Sequence, residues 1–321
     1  MLTYIARRVV YSIPVLILST FLSFTFVSLA GNPTALLRGN PKIPKNTIRL
    51  IELQNHLNRS IPVRYWYWVK DIFTHKLGDS LQTFQPIWPD ITRTMGHTAQ
   101  VIIISESLAI LLGVAVGIFS AIRQYSIFDY VSTSISFLGF AMPTFWLALL
   151  LQILFVDIYL KWNVRIFYTA GLNSPGSGTW SLDRLQHIAL PVMTLCIISF
   201  ATYSRYMRAS MLDVINTDYV RTARAKGLSE WHVIMRHVFR NALIPIVTVA
   251  ALNFGGLLGG VIVTETVFSL DGIGFYFLQK LQADDLYAVM AYLLVTSVII
   301  IFFNLVADVL YGYLDPRIRY D

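Results

Sequence analysis

The side chains that could do chemistry are few: six histidines, one cysteine and a single carboxylate set deep in apolar sequence. His56, His75, His97, His187, His232 and His237 all fall outside the long apolar stretches or at their edges. None belongs to an HExxH or Ser-His arrangement, so hydrolytic chemistry is not expected. Cys196 is alone and lies in an apolar run, which excludes an intramolecular disulfide or a CxxC site and makes it a small packing residue. No G-x-x-x-x-G-K-[ST] occurs, and Lys226, the only lysine followed by glycine, lacks that context. The chain is therefore not expected to be an enzyme or to hydrolyse ATP. Glu106, in "IIISESLAI", is the exceptional carboxylate. Its insertion into a membrane costs about 2–3 kcal/mol, and such groups face a bundle interior or a watery cavity. It is either the wall of a path that receives a cationic group, or one half of a structural pair with hydroxyls such as Ser105 or with a partner's cation.

The elements that position these residues are long and oily. Of 321 residues, 55% are hydrophobic and 13% charged, with a mean hydropathy of +0.60. That composition predicts an all-α polytopic membrane protein. A bilayer core of about 30 Å needs roughly 20 apolar helical residues, and six stretches supply them: Val9–Ala30, Thr98–Ala121, Tyr130–Val156, Gln186–Ser204, Asn241–Thr264 and Leu286–Ala307. The first is longer than a signal-peptide core and reads as a retained anchor. Lysine and arginine beside short connections set the orientation. With residues 1–8 inside, the inner side receives Arg7, Arg8, Arg123, seven basic residues from Arg205 to Arg240, and Arg317 and Arg319. The short outer connections, 157–185 and 265–285, receive only Lys161, Arg165, Arg184 and Lys280. Both termini, 1–8 and 308–321, are thus expected in the cytoplasm, and 31–97 forms a large outer loop. The net charge of +7 becomes a topology signal, so no nucleic-acid partner is expected. The absence of an internal repeat weakens a secondary-transporter reading.

The inner connection 205–240 is much longer than the 2–8 residues that usually join helices. "DYVRTARAK" predicts a helix ending at Gly227, and "LSEWHVIMRHVFRNAL" predicts a restart, with Ser229 as N-cap and Glu230 near the positive end of the new helix. At 100° per residue Trp231, Ile234, Met235, Val238 and Phe239 share an arc beside a polar stripe of His232, Arg236 and Arg240. Such a segment can lie on anionic headgroups, extend the fifth span, or dock into a groove on a soluble partner.

The run "DYVRTARAKGLSEWHVIMRHVFRNALIPIV" resembles the cytoplasmic signature loop of permease subunits of ATP-binding-cassette importers, in the oligopeptide and dipeptide branch. Where the superfamily has Glu-Ala-Ala, three residues and Gly, the matching positions read Arg221-Thr222-Ala223 and Gly227, with "RNALIP" following, as in the peptide branch. The similarity spans the chain, through "YIARRVVYSIPVL", "LGDSL", "MPTFWLALL", "HIALPVMTL" and "DVLYGYLDPRIR", and the large first loop is similar to the B-type subunit of a permease pair. The resemblance implies a type I importer permease fold of six transmembrane helices in the inner membrane. It implies a second homologous permease, two ATP-binding-cassette subunits that use ATP and Mg, and an extracytoplasmic solute-binding protein as partners, with no cofactor on this chain. Peptide import is the implied function; nickel or another small solute is the alternative within the branch. The broken helix would be the coupling element, with Gly227 turning the backbone, Ala223 and Ala225 keeping the approach close, and Arg221, Thr222, Arg224 and Glu230 at the polar rim.

Met142, Phe145 and Trp146 beside Pro143, and Asn253 in the fifth span, join Glu106 as candidates for a translocation path. "FGGLLGG" sets Gly255 with Gly259 and Gly256 with Gly260 at the spacing that lets helices pack closely. Pro143, Pro191 and Pro245 can kink their spans. In the outer loop "TIRLIELQNHL" and "RYWYWVKDIF" predict helices, with Trp66, Tyr67 and Trp68 suited to a membrane interface or to a binding-protein contact.

Overall fold

A computed structural model describes residues 2–39, 41–75, 77–178 and 181–314, with side chains undescribed at 2–4, 36, 75, 257–260 and 313–314. The end of "DVLYGYLDPRIR", from Asp315, lies outside the described residues. Among the described residues, six helices are long and apolar enough to cross a membrane. They correspond to the six expected spans, with one change of form. Residues Tyr130–Val156 are not one helix but two, α6 (Ile127–Ala141) and α7 (Thr144–Trp162). Pro143 is the reason: its ring pushes the residue before it out of the helical region, and Met142 is extended at φ −75°, ψ 128°.

The chain divides into two compact units. One comprises Leu2–Thr98 and Asp271–Ile301. It holds α1 (Leu2–Ala30), α2 (Ala35–Gly39), α3 (Lys45–Gln54), α4 (Ile61–His75) and the beginning of α5 (Ile87–Ile122). The expected helices of the large loop are thus formed, as α3 and α4. Phe24, Trp68, Ile48, Ile51, Leu286 and Met290 build its core, and Phe24, Tyr65 and Trp68 pack with ring centroids 5.7–5.9 Å apart. Trp66 and Tyr67 are exposed while Trp68 is buried, so one face of α4 is core.

The other unit comprises Ala99–Leu270 and the chain from Phe302. Here α8 (Leu182–Ile215) is the central helix, packed by α6, α7 and the later helix α11 (Arg240–Val267). Ser181 caps it, accepting from the Arg184 amide at 3.1 Å. Against α5 the approach is backbone to backbone. A Cβ at Gly113 would lie 2.7 Å from Tyr203 Cβ, and one at Gly117 only 2.6 Å from Met207 Cβ and 2.8 Å from the Ser204 carbonyl oxygen. A close small-residue crossing is therefore formed at Gly113 and Gly117, four residues apart. A Cβ at Gly256 would meet nothing within 4 Å, Gly255 is buried, and the packing of Gly259 and Gly260 lies outside the described residues.

Candidate functional site

Beyond Ile215 the chain turns and forms α9 (Asp218–Ala225), with Asp218 in the first turn where a negative charge suits the helix dipole. α9 ends at Lys226, and Gly227 takes φ +77°, the left-handed region that favours glycine. No atom comes within 4 Å of a Cβ placed there, so the backbone angle rather than crowding calls for glycine. The chain restarts as the short α10 (Glu230–His232), runs into a π-helical segment Val233–Phe239, and continues without a gap into α11. Two helices broken at Gly227 are thus present, and the second is the beginning of the fifth span's helix.

The π-helical segment changes which residues face inward. Its i→i+5 bonding takes more residues per turn than an α-helix. Val233, Ile234 and Val238 are buried, Met235 and Phe239 are half-buried, and Trp231 is turned out at 63% exposure. Val233, which the arc at 100° per residue leaves out, is thus buried, and Trp231, which lies on that arc, faces outward from α10. The buried residues join Val220, Ala223, Met207 and Met211 in one apolar cluster. Ala223 is buried within this cluster, whereas Ala225 is exposed. Arg221, Thr222, Ala225, Gly227 and Glu230 are exposed, together with Leu228 at 40%.

Arg224 spans the break. Its Nε and Nη2 donate to Glu230 at 3.1 and 2.7 Å, and its Nη1 donates to the Ile215 carbonyl at 3.4 Å. Asn241 Nδ2 donates to Tyr219 Oη at 3.0 Å and ties α9 to α11. The tip from Ala225 to His232 is thus a braced turn that presents Leu228 and Trp231 outward.

Glu106 is fully buried on α5. It accepts from the hydroxyls of Ser199 and Tyr203 on α8, the latter at 2.5 Å, and Asn253 Nδ2 donates to Tyr203 Oη at 3.2 Å. Ser105 is not its partner; that hydroxyl donates to the Ile102 carbonyl at 3.0 Å. Asn253 therefore joins Glu106 through Tyr203, in a network linking three helices. Met142 and Phe145 do not join it. Met142 lies half-buried at the α6–α7 break, and Phe145 and Trp146 are exposed on α7.

A further site escaped the sequence reading. Arg208 Nε and Nη2 on α8 donate to Asp129 Oδ1 and Oδ2 at 2.6 and 2.8 Å, and Ser120 also donates to this buried carboxylate. The Tyr125 amide donates to Asp129 at 3.0 Å, which fixes the tight turn between α5 and α6. "SIFD" is a capping pattern, with Ser126 accepting from the Asp129 amide at 3.2 Å. That signal marks Asp129 as a helix-start residue but carries nothing about an arginine 79 positions later.

The family described as binding-protein-dependent transport system inner membrane component matches residues 113–320, and its amino-terminal counterpart matches residues 1–104. The dipeptide transport system permease protein DppB of Alkalihalophilus pseudofirmus is 39% identical, with all of both chains aligned. The oligopeptide transport system permease protein AppB of Bacillus subtilis is 35% identical, again over all of both chains. The oligopeptide transport system permease protein OppB of Mycobacterium bovis is 34% identical over 99% of each. A crystal structure of an amino acid ABC transporter with histidines shares the fold at a TM-score of 0.54 and 13% identity, over 70% of this chain and 94% of that one.

Proposed function

Because the chain belongs to the family of binding-protein-dependent transport system inner membrane components, we propose that it is the B-type permease subunit of an ATP-driven peptide importer. It forms half of the translocation pathway with a homologous second permease, receives substrate from an extracytoplasmic solute-binding protein, and takes its energy from two ATP-binding-cassette subunits. The names of the relatives, which are dipeptide and oligopeptide permeases, support peptides as the cargo.

The observation that carries the coupling role is the braced tip at Gly227. Leu228 and Trp231 stand out from a turn whose opposite face is packed into the unit's own core. Exposed apolar side chains on a rigid support suit a groove on a partner better than a flexible strand would. Since α10 runs through the π-helical segment into α11, a push on the tip acts directly on a spanning helix. That continuity is what a rigid-body relay between an ATPase and a span requires. In this reading the tip and both termini face the cytoplasm, as the distribution of lysine and arginine indicates.

The test is co-purification of the ATPase subunits with the membrane-inserted permease pair, comparing wild type with a Leu228→Ala, Trp231→Ala double variant. Both side chains are exposed, so insertion and thermal stability should change little. Retained ATPase should fall about tenfold or more, the effect of removing apolar anchors from an interface. Equal retention by both proteins would sink the docking role of this tip.

A further inference from the structure

Beside the carboxyl end of α1 lies a cavity of about 440 Å³, lined by Ser28, Asn32, Thr34, Arg38, Glu52 and Arg64 among others. Arg38 and Glu52 satisfy each other at 2.6 Å, and Glu52 also accepts from Thr34 at 2.9 Å. The Arg38 hydrogen bond holds the Glu52 carboxyl below its usual range. Asp284 lies against the backbone of Gly31. Arg64 is different. Its Nε and Nη2, and the hydroxyl of Ser28, are shielded from solvent and have no hydrogen-bond partner among the described residues. The guanidinium also stands 5.7 Å from the centre of the Phe24 ring, against the apolar core, and burial pulls its pKa below the ordinary arginine value. Two guanidinium nitrogens shielded from water and without an acceptor are a costly arrangement, and an anion is the group that relieves it.

We propose that this cavity is a phosphate site, filled by the headgroup phosphate of a phospholipid. Arginine's planar fork and a neighbouring hydroxyl match oxygens that only accept. Depth selects the source of the phosphate. Ser28 is two residues from the end of α1, where Phe26 and Leu29 are still exposed, at 68% and 71%, and the polar sequence of the loop begins. The end of an apolar span marks the headgroup level of a bilayer. The bound lipid would then pin the large loop, through α4, to the end of the first span.

Native mass spectrometry of the full-length chain in detergent tests this, with dioctanoyl phosphatidylglycerol and inorganic phosphate as separate probes. Wild type should bind the lipid saturably, with Arg64→Gln weakening binding about tenfold or more and Ser28→Ala about threefold. An equal concentration of inorganic phosphate should not displace the lipid. If it does, the phosphate chemistry stands and the lipid source is overturned. Should Arg64→Gln fail to fold, Arg64→Lys keeps the charge without the fork and should still weaken binding, alongside Ser28→Ala. Lipid binding left unchanged by Arg64→Lys and Ser28→Ala, or by Arg64→Gln, overturns the site.

Discussion

Arg208 reaches Asp129 across 79 residues of sequence and holds it with hydrogen bonds of 2.6 and 2.8 Å, where the carboxylate is almost wholly buried. Arg224 reaches Glu230 across six residues with bonds of 3.1 and 2.7 Å, but its carboxylate partner is more than half exposed. The two pairs are nearly alike in geometry and differ in surroundings. In the first, removing one member strands a charge away from water; in the second, water replaces the lost partner. The buried pair thus joins the α5–α6 turn to α8, whereas the exposed pair shapes a tip that can meet another protein. Glu106 stands between these cases, wholly buried yet held, among the described residues, by neutral hydroxyls.

The sharpest way to break the comparison is Arg208→Ala. It should destabilise the folded chain by about 3–5 kcal/mol, read as a large fall in thermal stability in detergent, because Asp129 is left buried and unpaired. Adding Asp129→Asn should recover part of that loss; no recovery would mean that the arginine acts through something other than its charge. Glu106→Gln should have a smaller effect. It turns one accepting oxygen into a donor facing hydroxyl donors, for about 1–3 kcal/mol by the same measurement. A variant as stable as wild type would show that the two hydroxyls re-aim at no cost. Arg224→Ala should come last, at about 0–1 kcal/mol and diminishing with salt, since the pair is solvent-screened. A loss there as large as that from Arg208→Ala would erase the distinction between joint and brace.

Much of the architecture was legible in sequence because it depends on composition over long windows. Twenty apolar residues must span or be buried, whatever their neighbours, so the six spans could be placed without tertiary information. Helix ends were legible where one residue decides, as at Gly227, whose left-handed backbone is local chemistry. The break at Met142 came from equally local chemistry, yet Pro143 was read as a kink rather than as the boundary of two helices. The apolar arc on the π-helical segment was incomplete because a 3.6-residue period left out Val233, which is buried, while Trp231 precedes that segment in α10 and faces outward.

Partners across the fold were a different matter. Glu106 announced itself as a lone carboxylate, but its hydroxyls come from α8, 93 and 97 residues away, and not from adjacent Ser105. "FGGLLGG" was the conspicuous small-residue stripe, and the crossing observed on α5 adds Gly113 and Gly117, a pair of the same spacing in a less conspicuous setting. The sequence by itself determined that this is a polytopic helical chain with six long apolar stretches, that the backbone breaks at Gly227, and that Glu106 had to find a partner, because hydropathy and backbone preference are properties of short segments. Only the tertiary structure decided which hydroxyls receive Glu106, that Arg208 and not a nearer cation holds Asp129, and which face of the π-helical turn points outward, because these depend on which helix surfaces meet, and packing brings together residues that no spacing rule connects.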